Sequence, residues 1–533
     1  MISGLRIGNF KAFGAAQDIP LRPLTLVFGP NSAGKSSIIQ SLLLARHIQD
    51  TGNVDAHQTT LGGAAVDLGG HARYVHKRDP EREIEIQFTF KREEIAQKFT
   101  SLTGFDTFSV AYAIGAGRLD VPGSKPRIKA AVFSFGDGQS VPLSEDLGGK
   151  FNVHVPSMER SAKVDFGDRF PVDANAIIRD LDETRSPLEA EITWYRTIFW
   201  RRIYHELWGK DFRIRGLAME NPDPLPFEES WQDWQWVIDN VDLAEGGPSE
   251  PEAQGRALIR CYEIERAIDA ASEAVRQASE KITYIGPLRW VPPRFVPEGE
   301  QLDATWKAGG GEAWQRLQRE PELLDRVNHF LQDTLRLRYR LECQHFALVR
   351  SAATSVSSSR IAEAPTSAAT PLSQNSAETL TRLLIVDADT KIELSHCDVG
   401  TGIGQLLSVL VNAAGAERRL IAIEQPELHL HPALQAELGD VFIESALGEN
   451  KNTFLIETHS EHLILRLLRR VRDTTEGKLS DPKLALRPED ISVLFVRPGK
   501  DGSEVLNLPV TADGDFACPW PGGFFAERAQ ELF

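Results

Sequence analysis

At 533 residues the chain is too long for one ordinary domain, and roughly two to four folding units are expected. Its 41% hydrophobic and 25% charged residues are ordinary for a globular protein. With 59 Lys and Arg against 76 Asp and Glu, the formal charge of −17 disfavours a surface built to coat nucleic acid, although a local basic groove is compatible with it.

No apolar run approaches the roughly 20 residues that cross a bilayer, so no membrane association is expected. The opening MISGLRIGNF reads as the start of a strand rather than an export signal. Cys261, Cys343, Cys397 and Cys518 lie far apart with no C-x-x-C pair, as expected of reduced thiols in a cytoplasmic protein. Residues 1–30 predict two strands, LRIGNFKAF and PLTLVFG, and a helix follows at 36–48. Alternation of apolar and polar residues predicts further strands at 81–92, 108–115 and 127–135, so 1–150 reads as the first half of an α/β domain. Helical spacing at 190–209, 256–282 and 321–335 marks 151–350 as a mainly helical insertion. Residues 351–378 are mostly Ser, Ala and Thr, a composition that cannot bury a core, and read as a flexible loop. From 379 to 485 strands and helices alternate: LLIVDAD, LLSVLVNAA, RLIAIE, ALQAELGDVFIESAL, TFLIET, EHLILRLLRRVR. That order predicts a largely parallel sheet with covering helices. Residues 486–533 read as an α/β extension of short strands and a terminal helix.

GPNSAGKS, residues 29–36, matches G-x-x-x-x-G-K-[ST] at every fixed position, follows the apolar TLVF and opens a helix. Gly29, Pro30, Asn31, Ser32, Ala33 and Gly34 would wrap their backbone amides around phosphate. Lys35 would neutralise β/γ charge, Ser36 would ligate Mg²⁺, and Ser37 continues into a helix whose N-terminus favours anions. The expected cofactors are therefore ATP and Mg²⁺.

Three later stretches narrow the class: LSHCDVGTGIGQLLSVLV (394–411), LIAIEQPELHLHP (420–432) and TFLIETHSEH (453–462). With an early phosphate loop, they resemble the SMC-like, overcoming-lysogenization-defect-like ATPases of bacteria, many of which sit in anti-phage defence operons. The likeness extends to YIGPLRWVPPR (284–294) and WPGGFFAERAQELF (520–533). It implies an ABC-type P-loop ATPase head, a mixed sheet flanked by helices, split by the insertion. It also implies residue roles. Glu424 would hold Mg²⁺ through water, His459 would sit at the γ-phosphate, and Leu430–Pro432 would cross a dimer interface. Gly400, Gly402, Gly404 and Gln405 form the signature that caps a partner's γ-phosphate, with a helix N-terminus aimed at it. The signature lacks its serine. Gln425 stands where the family places the acid that activates water, and an amide cannot accept that proton; Glu427 is the substitute acid. For the glutamine loop of ABC heads, Gln58 and His71 are the candidates.

Other patterns have plainer readings. His429 and His431 read as a structured turn rather than a metal pair, and Arg466, Arg469, Arg470 and Arg472 as complements to their own helix end. The basic, aromatic stretch 194–208 reads as a half-exposed helix, or as a contact for a partner or nucleic acid. No Toprim acid cluster, HNH pattern or protease triad is present. The expectation is an ATPase that closes as a head-to-tail pair, or a higher homo-oligomer. It would act as sensor or motor for a separate effector, a nuclease or toxin, with DNA or a phage component as a further partner. The alternatives are a DNA-processing ATPase and an ATP-gated scaffold with little turnover.

Overall fold

The computed structural model describes residues 1–91, 106–117, 125–136, 139–145, 151–153, 267–290, 304–347 and 379–523, apart from 269, 396 and 397. The expected helix at 190–209, the stretch at 194–208, the loop at 351–378 and the terminal helix of 524–533 lie outside the described residues.

The first strands are β1 (Gly4–Gly8), β2 (Gln17–Pro20) and β3 (Leu24–Phe28), followed by α1 (Lys35–Thr51) and a small hairpin of β4 (Gln58–Thr59) and β5 (Gly63–Asp67). Next come β6 (Ile84–Lys91), β7 (Thr107–Gly115), β8 (Arg127–Phe135), β9 (Gln139–Glu145) and β10 (Phe151–Val153). With β1 and β2 these form an antiparallel sheet of order β10-β9-β8-β7-β6-β1-β2. In β6 alternate residues Ile84, Ile86, Phe88 and Phe90 are buried, the one-sided pattern of an antiparallel sheet packed on a core.

Residues 270–280 are helical and lead into β11 (Ile282–Ile285). Two short helices, α2 (Gly311–Arg319) and α3 (Pro321–His329), precede β12 (Tyr339–Ala347), which pairs with β13 (Thr379–Asp387) from Ala347↔Thr379 to Tyr339↔Asp387; β14 (Glu393–Leu394) adds an edge. The boundaries expected at 350 and 379 therefore fall between two strands that pair with each other. Then follow α4 (Thr401–Gly415), β15 (Leu420–Glu424), α5 (Pro432–Leu447), β16 (Thr453–Glu457), α6 (Glu461–Thr475), β17 (Ile491–Gly499) and β18 (Gly502–Asn507).

The central sheet has the order β11-β15-β16-β3-β17-β18, parallel except for the last hairpin. It draws on every part of the chain. β11, within the stretch read as a helical insertion, is its edge strand, and β17, within the stretch read as an extension, pairs directly with β3. Both faces are covered, and the strands alternate between two cores. Val27, Leu420, Ala422 and Leu455 face the antiparallel sheet and α1. Leu24, Leu26, Phe28, Ile421, Ile423, Phe454 and Ile456 face the layer of α2–α6. Near-continuous apolar strands are what a doubly covered parallel sheet requires. The fold is thus mixed α/β, a single head assembled from separated segments.

The arginines of α6, read as complements to their own helix end, are in the structure drawn mainly to other segments, while the exposed Arg469 pairs with Asp473 one turn on. Arg470 makes two bonds to the buried Asp440 on α5, Arg466 adds a third, and Arg472 donates to the Asp513 carbonyl. Among the described residues no helix is long and apolar enough to cross a membrane.

Candidate nucleotide site

Parallel strands open their C-terminal ends on one side of a sheet, and ligands bind in α/β folds at that edge. Here that edge carries the phosphate loop after β3, Glu424 at the end of β15 and Glu457 at the end of β16. Pairing of Phe454–Glu457 with Leu24–Val27 sets the loop beside the two acids.

The loop is shaped by backbone positions that need glycine. Gly29 (φ 142) and Gly34 (φ 99) adopt left-handed conformations, and a Cβ would fall 2.1 Å from the Val496 carbonyl oxygen at Gly29 and 2.5 Å from Ala12 Cβ at Gly34. Pro30, Asn31 and Ser32 are exposed at the rim, whereas Ala33, Lys35 and Ser37 are buried. No side chain caps the N-terminus of α1, where the Ser37 N–H turns back to the Gly34 carbonyl at 3.0 Å. An anion fits this cradle.

Lys35 is 4% exposed, and its Nζ donates to the Gly29 and Pro30 carbonyls at 3.1 and 3.0 Å. Burial lowers its pKa, opposed by the carboxylates of Glu457 and Glu427. Ser36 Oγ donates to Glu457 Oε2 at 2.7 Å. Glu424 is 9% exposed, faces Glu457 in strand register and accepts a bond of 2.9 Å from the Tyr284 hydroxyl. Burial first, and then the Glu457 carboxylate, push its pKa up to about 7; burial also raises that of Glu457.

Gln425 sits one residue past β15 in a left-handed conformation (φ 47), its N–H donating to the Glu457 carbonyl at 2.7 Å. Glu427 turns back: Oε1 accepts the N–H of His459 at 2.7 Å, while Oε2 is buried without a hydrogen bond. The acid considered as a substitute base is therefore engaged in holding the histidine loop. His459 itself is exposed, and partial desolvation and then the Lys35 ammonium lower its pKa. Two hydrogen bonds through the Gln435 side chain link this loop to the preceding turn, since Ser460 Oγ donates to Gln435 Oε1, and Gln435 Nε2 donates to the Leu430 carbonyl. Leu430 is buried in the core, so of the expected interface segment only His431 and Pro432 are exposed, beside His429. His431 Nδ1 accepts the Ala433 N–H and caps α5. Among the described residues no group of three or more His, Cys, Asp or Glu could hold a metal.

Two side chains quoted in the sequence only for their family likeness belong to the site. Tyr284 reaches Glu424 from β11, and Arg289, 5% exposed, donates Nη2 to the carbonyls of Glu424 and Gln425 at 3.0 and 3.2 Å. Burial lowers the Arg289 pKa to about 10, still a cation at neutral pH. The signature glutamine joins this arrangement: Gln405 exchanges two bonds with the Arg289 backbone. Gly400 and Thr401 remain exposed at the N-terminus of α4, whose other end is tied down by Asn450 and Asn452 on the Ala414 and Ala416 carbonyls. Gln58 is exposed, and His71 is buried against Tyr74. Position at the edge strand beside β15 would have pointed to Tyr284 and Arg289, but only the strand order reveals that position.

Fold and loop together define the class as a P-loop nucleotide-binding head made from separated segments. Two protein families agree with this: AAA ATPase domain matches residues 325–464, and AAA domain matches residues 4–115. The first match spans Glu424, Gln425 and His459, and the second spans the phosphate loop. No curated protein matches. Solved SMC heads align along the chain's length. The Smc head domain with an extended coiled coil, bound to the C-terminal domain of ScpA and derived from Pyrococcus furiosus, is 11% identical over 100% of this chain and 98% of that one, at a TM-score of 0.36. The SMC head domain from Thermotoga maritima is 9% identical over 96% and 99%, at 0.35. These likenesses are too loose to bear on residue roles.

The buried acids carry a pH dependence. Glu424 has a folded pKa of about 7 against an ordinary 4.5, so between these values the folded chain keeps a proton that the unfolded chain has lost. Stability from this group is then greatest below the lower value and falls as pH rises through the upper one. In protein free of metal and nucleotide, the thermal midpoint is expected to drop between about pH 5 and about pH 8, and to drop less in Glu424→Gln. Equal slopes in the two proteins would refute the burial of this charge.

Proposed function

We propose that this chain is an ABC-type ATPase that binds ATP with Mg²⁺, pairs head to tail with a second copy, and turns over slowly. In this reading it serves as the sensor or motor of a bacterial anti-phage defence system whose toxic activity resides in a separate effector. The observation that carries the ATP reading is the sheet pairing that sets Gly29–Ser36 against Glu424 and His459. The defence role rests on the motif resemblance alone.

The residues fit the cofactor. Bound Mg²⁺ would neutralise charge on the β- and γ-phosphates. Loop amides and the α1 N-terminus would hold the phosphates, Lys35 would leave the Gly29 and Pro30 carbonyls for them, and Ser36 and Glu424 would orient the metal's oxygen ligands. His459, held by Glu427 at the rim, would face the γ-phosphate. Gln425 can orient a water but cannot take its proton, which supports slow hydrolysis and a long-lived bound state, as a sensor requires.

Lys35→Ala is expected to weaken ATP binding by about 1.5–3 kcal/mol, the size of a charged hydrogen bond, or roughly ten- to a hundredfold in Kd. In cells carrying the chain with its neighbouring genes, the same variant should abolish protection in a phage plating assay. Unchanged ATP affinity would remove the phosphate-loop assignment; retained protection would remove the defence role of ATP.

Pairing is best tested at Gly400. A Cβ there meets nothing within 4 Å, whereas at Gly402 it would fall 2.6 Å from the His429 carbonyl oxygen and disturb the turn within one copy. Gly400→Asp should therefore leave ATP binding by the monomer intact while preventing ATP-dependent dimerisation, as read by light scattering. ATP-driven dimers of that variant would contradict a cap supplied in trans.

For the chemical step, a positioned general base contributes about 10²–10⁴-fold. Gln425→Glu is expected to raise steady-state phosphate release by about tenfold or more, and Glu427→Gln, whose amide oxygen can still accept the His459 N–H, to change it little. Collapse of turnover in Glu427→Gln would move the base to that acid.

A further inference from the structure

Glu457 was not among the residues the motifs single out; it is the last residue of an apolar strand, before the Thr458-His459 pair. The structure gives it a central place. It lies 5% exposed between the phosphate-loop strand and the Glu424 strand, level with Glu424. Its Oε2 accepts the Ser36 hydroxyl at 2.7 Å, and its Oε1 lies 3.9 Å from Lys35 Nζ.

From this geometry we infer that Glu457 is a positioning residue for the metal ion, dividing between two neighbouring strands the work otherwise expected of Glu424 alone. The inference rests on the ATP–Mg²⁺ reading above. A serine hydroxyl that ligates a cation uses its oxygen lone pairs and has its proton left to donate. Glu457 already receives that proton, so the Ser36 oxygen is presented lone pairs outward, in the orientation a cation needs. Glu424 accepts the Tyr284 hydroxyl at 2.9 Å, and the Ser36 hydroxyl bears on it more weakly.

Charge points the same way. Lys35 is the one cation within salt-bridge distance of Glu457 among the described residues. Once Lys35 turns to phosphate, two buried carboxylates face Ser36 with weakened compensation, a costly arrangement in a poorly solvated site. A divalent cation beside Ser36 relieves it.

The alternative is that Glu457 merely stands in for a phosphate, occupying Ser36 and Lys35 until nucleotide displaces it. The two ideas predict different outcomes. Mn²⁺ binding to the full chain, saturated with a non-hydrolysable ATP analogue, can be followed by the electron paramagnetic resonance signal of free Mn²⁺. Glu457→Gln is expected to weaken Mn²⁺ binding to the saturated complex about ten- to a hundredfold. Glu457→Asp, which keeps the charge but shortens its reach, should recover part of the loss. Ser36→Ala combined with Glu457→Gln should lose no more than the worse single variant, because the two act as a unit. Unchanged Mn²⁺ affinity with tightened metal-free nucleotide binding in Glu457→Gln would overturn the inference in favour of the stand-in. Additive losses in the double variant would overturn it as well. A wild-type chain that binds no analogue would instead overturn the ATP reading on which it rests.

Discussion

Everything at this site depends on one set of strand pairings: β3 lying between β16 and β17, with β15 one strand further on. The phosphate loop and the acids it faces come from opposite halves of the sequence, and the Ser36–Glu457 bond spans 421 residues. Closing so long a loop has an entropic cost that grows only slowly with length. It is offset by two apolar cores that grip the sheet from both faces, so residues such as Ile423 and Ile456 stabilise the fold and register the site in the same act. The C-terminal segment reinforces the same place: Trp520 packs edge-on against Phe28, the residue before the loop, at 5.2 Å.

The site gathers three carboxylates where water is scarce. Glu424, Glu427 and Glu457 are all pushed toward the protonated form by burial. Their partners include Tyr284, the Ser36 hydroxyl, the His459 amide and three cations, Lys35, Arg289 and, toward Glu424, the half-buried Lys11. A ligand that brings a divalent cation along with its phosphates would relieve the crowding of these buried acids. Arg289 has a different place. Its Nη2 holds the carbonyls that follow β15, and its backbone holds Gln405. It thus links the end of β15 to α4 within one copy.

Most of the fold was legible in the sequence where it depends on local periodicity. The alternating runs became β6, β7 and β8, the apolar runs became β3, β15 and β16, and the helix after the phosphate loop became α1. Domain limits were less so, because a strand's sheet membership is not a local property. β11 lies in a stretch read as helical insertion, and β17 in one read as an extension, yet both are strands of the central sheet.

The same division holds for the site. The sequence by itself determined the phosphate loop, because its amides, lysine and serine act within eight consecutive residues whose spacing is the mechanism. It also determined that Gln425 cannot be a base, which follows from the chemistry of an amide. Only the tertiary structure decided that Glu457 receives the Ser36 proton, that Glu427 is occupied by the His459 amide, and that Tyr284 and Arg289 attend the end of β15. Each of these is a contact between residues on different elements, created by strand order and register, and none is encoded in the spacing of any single motif.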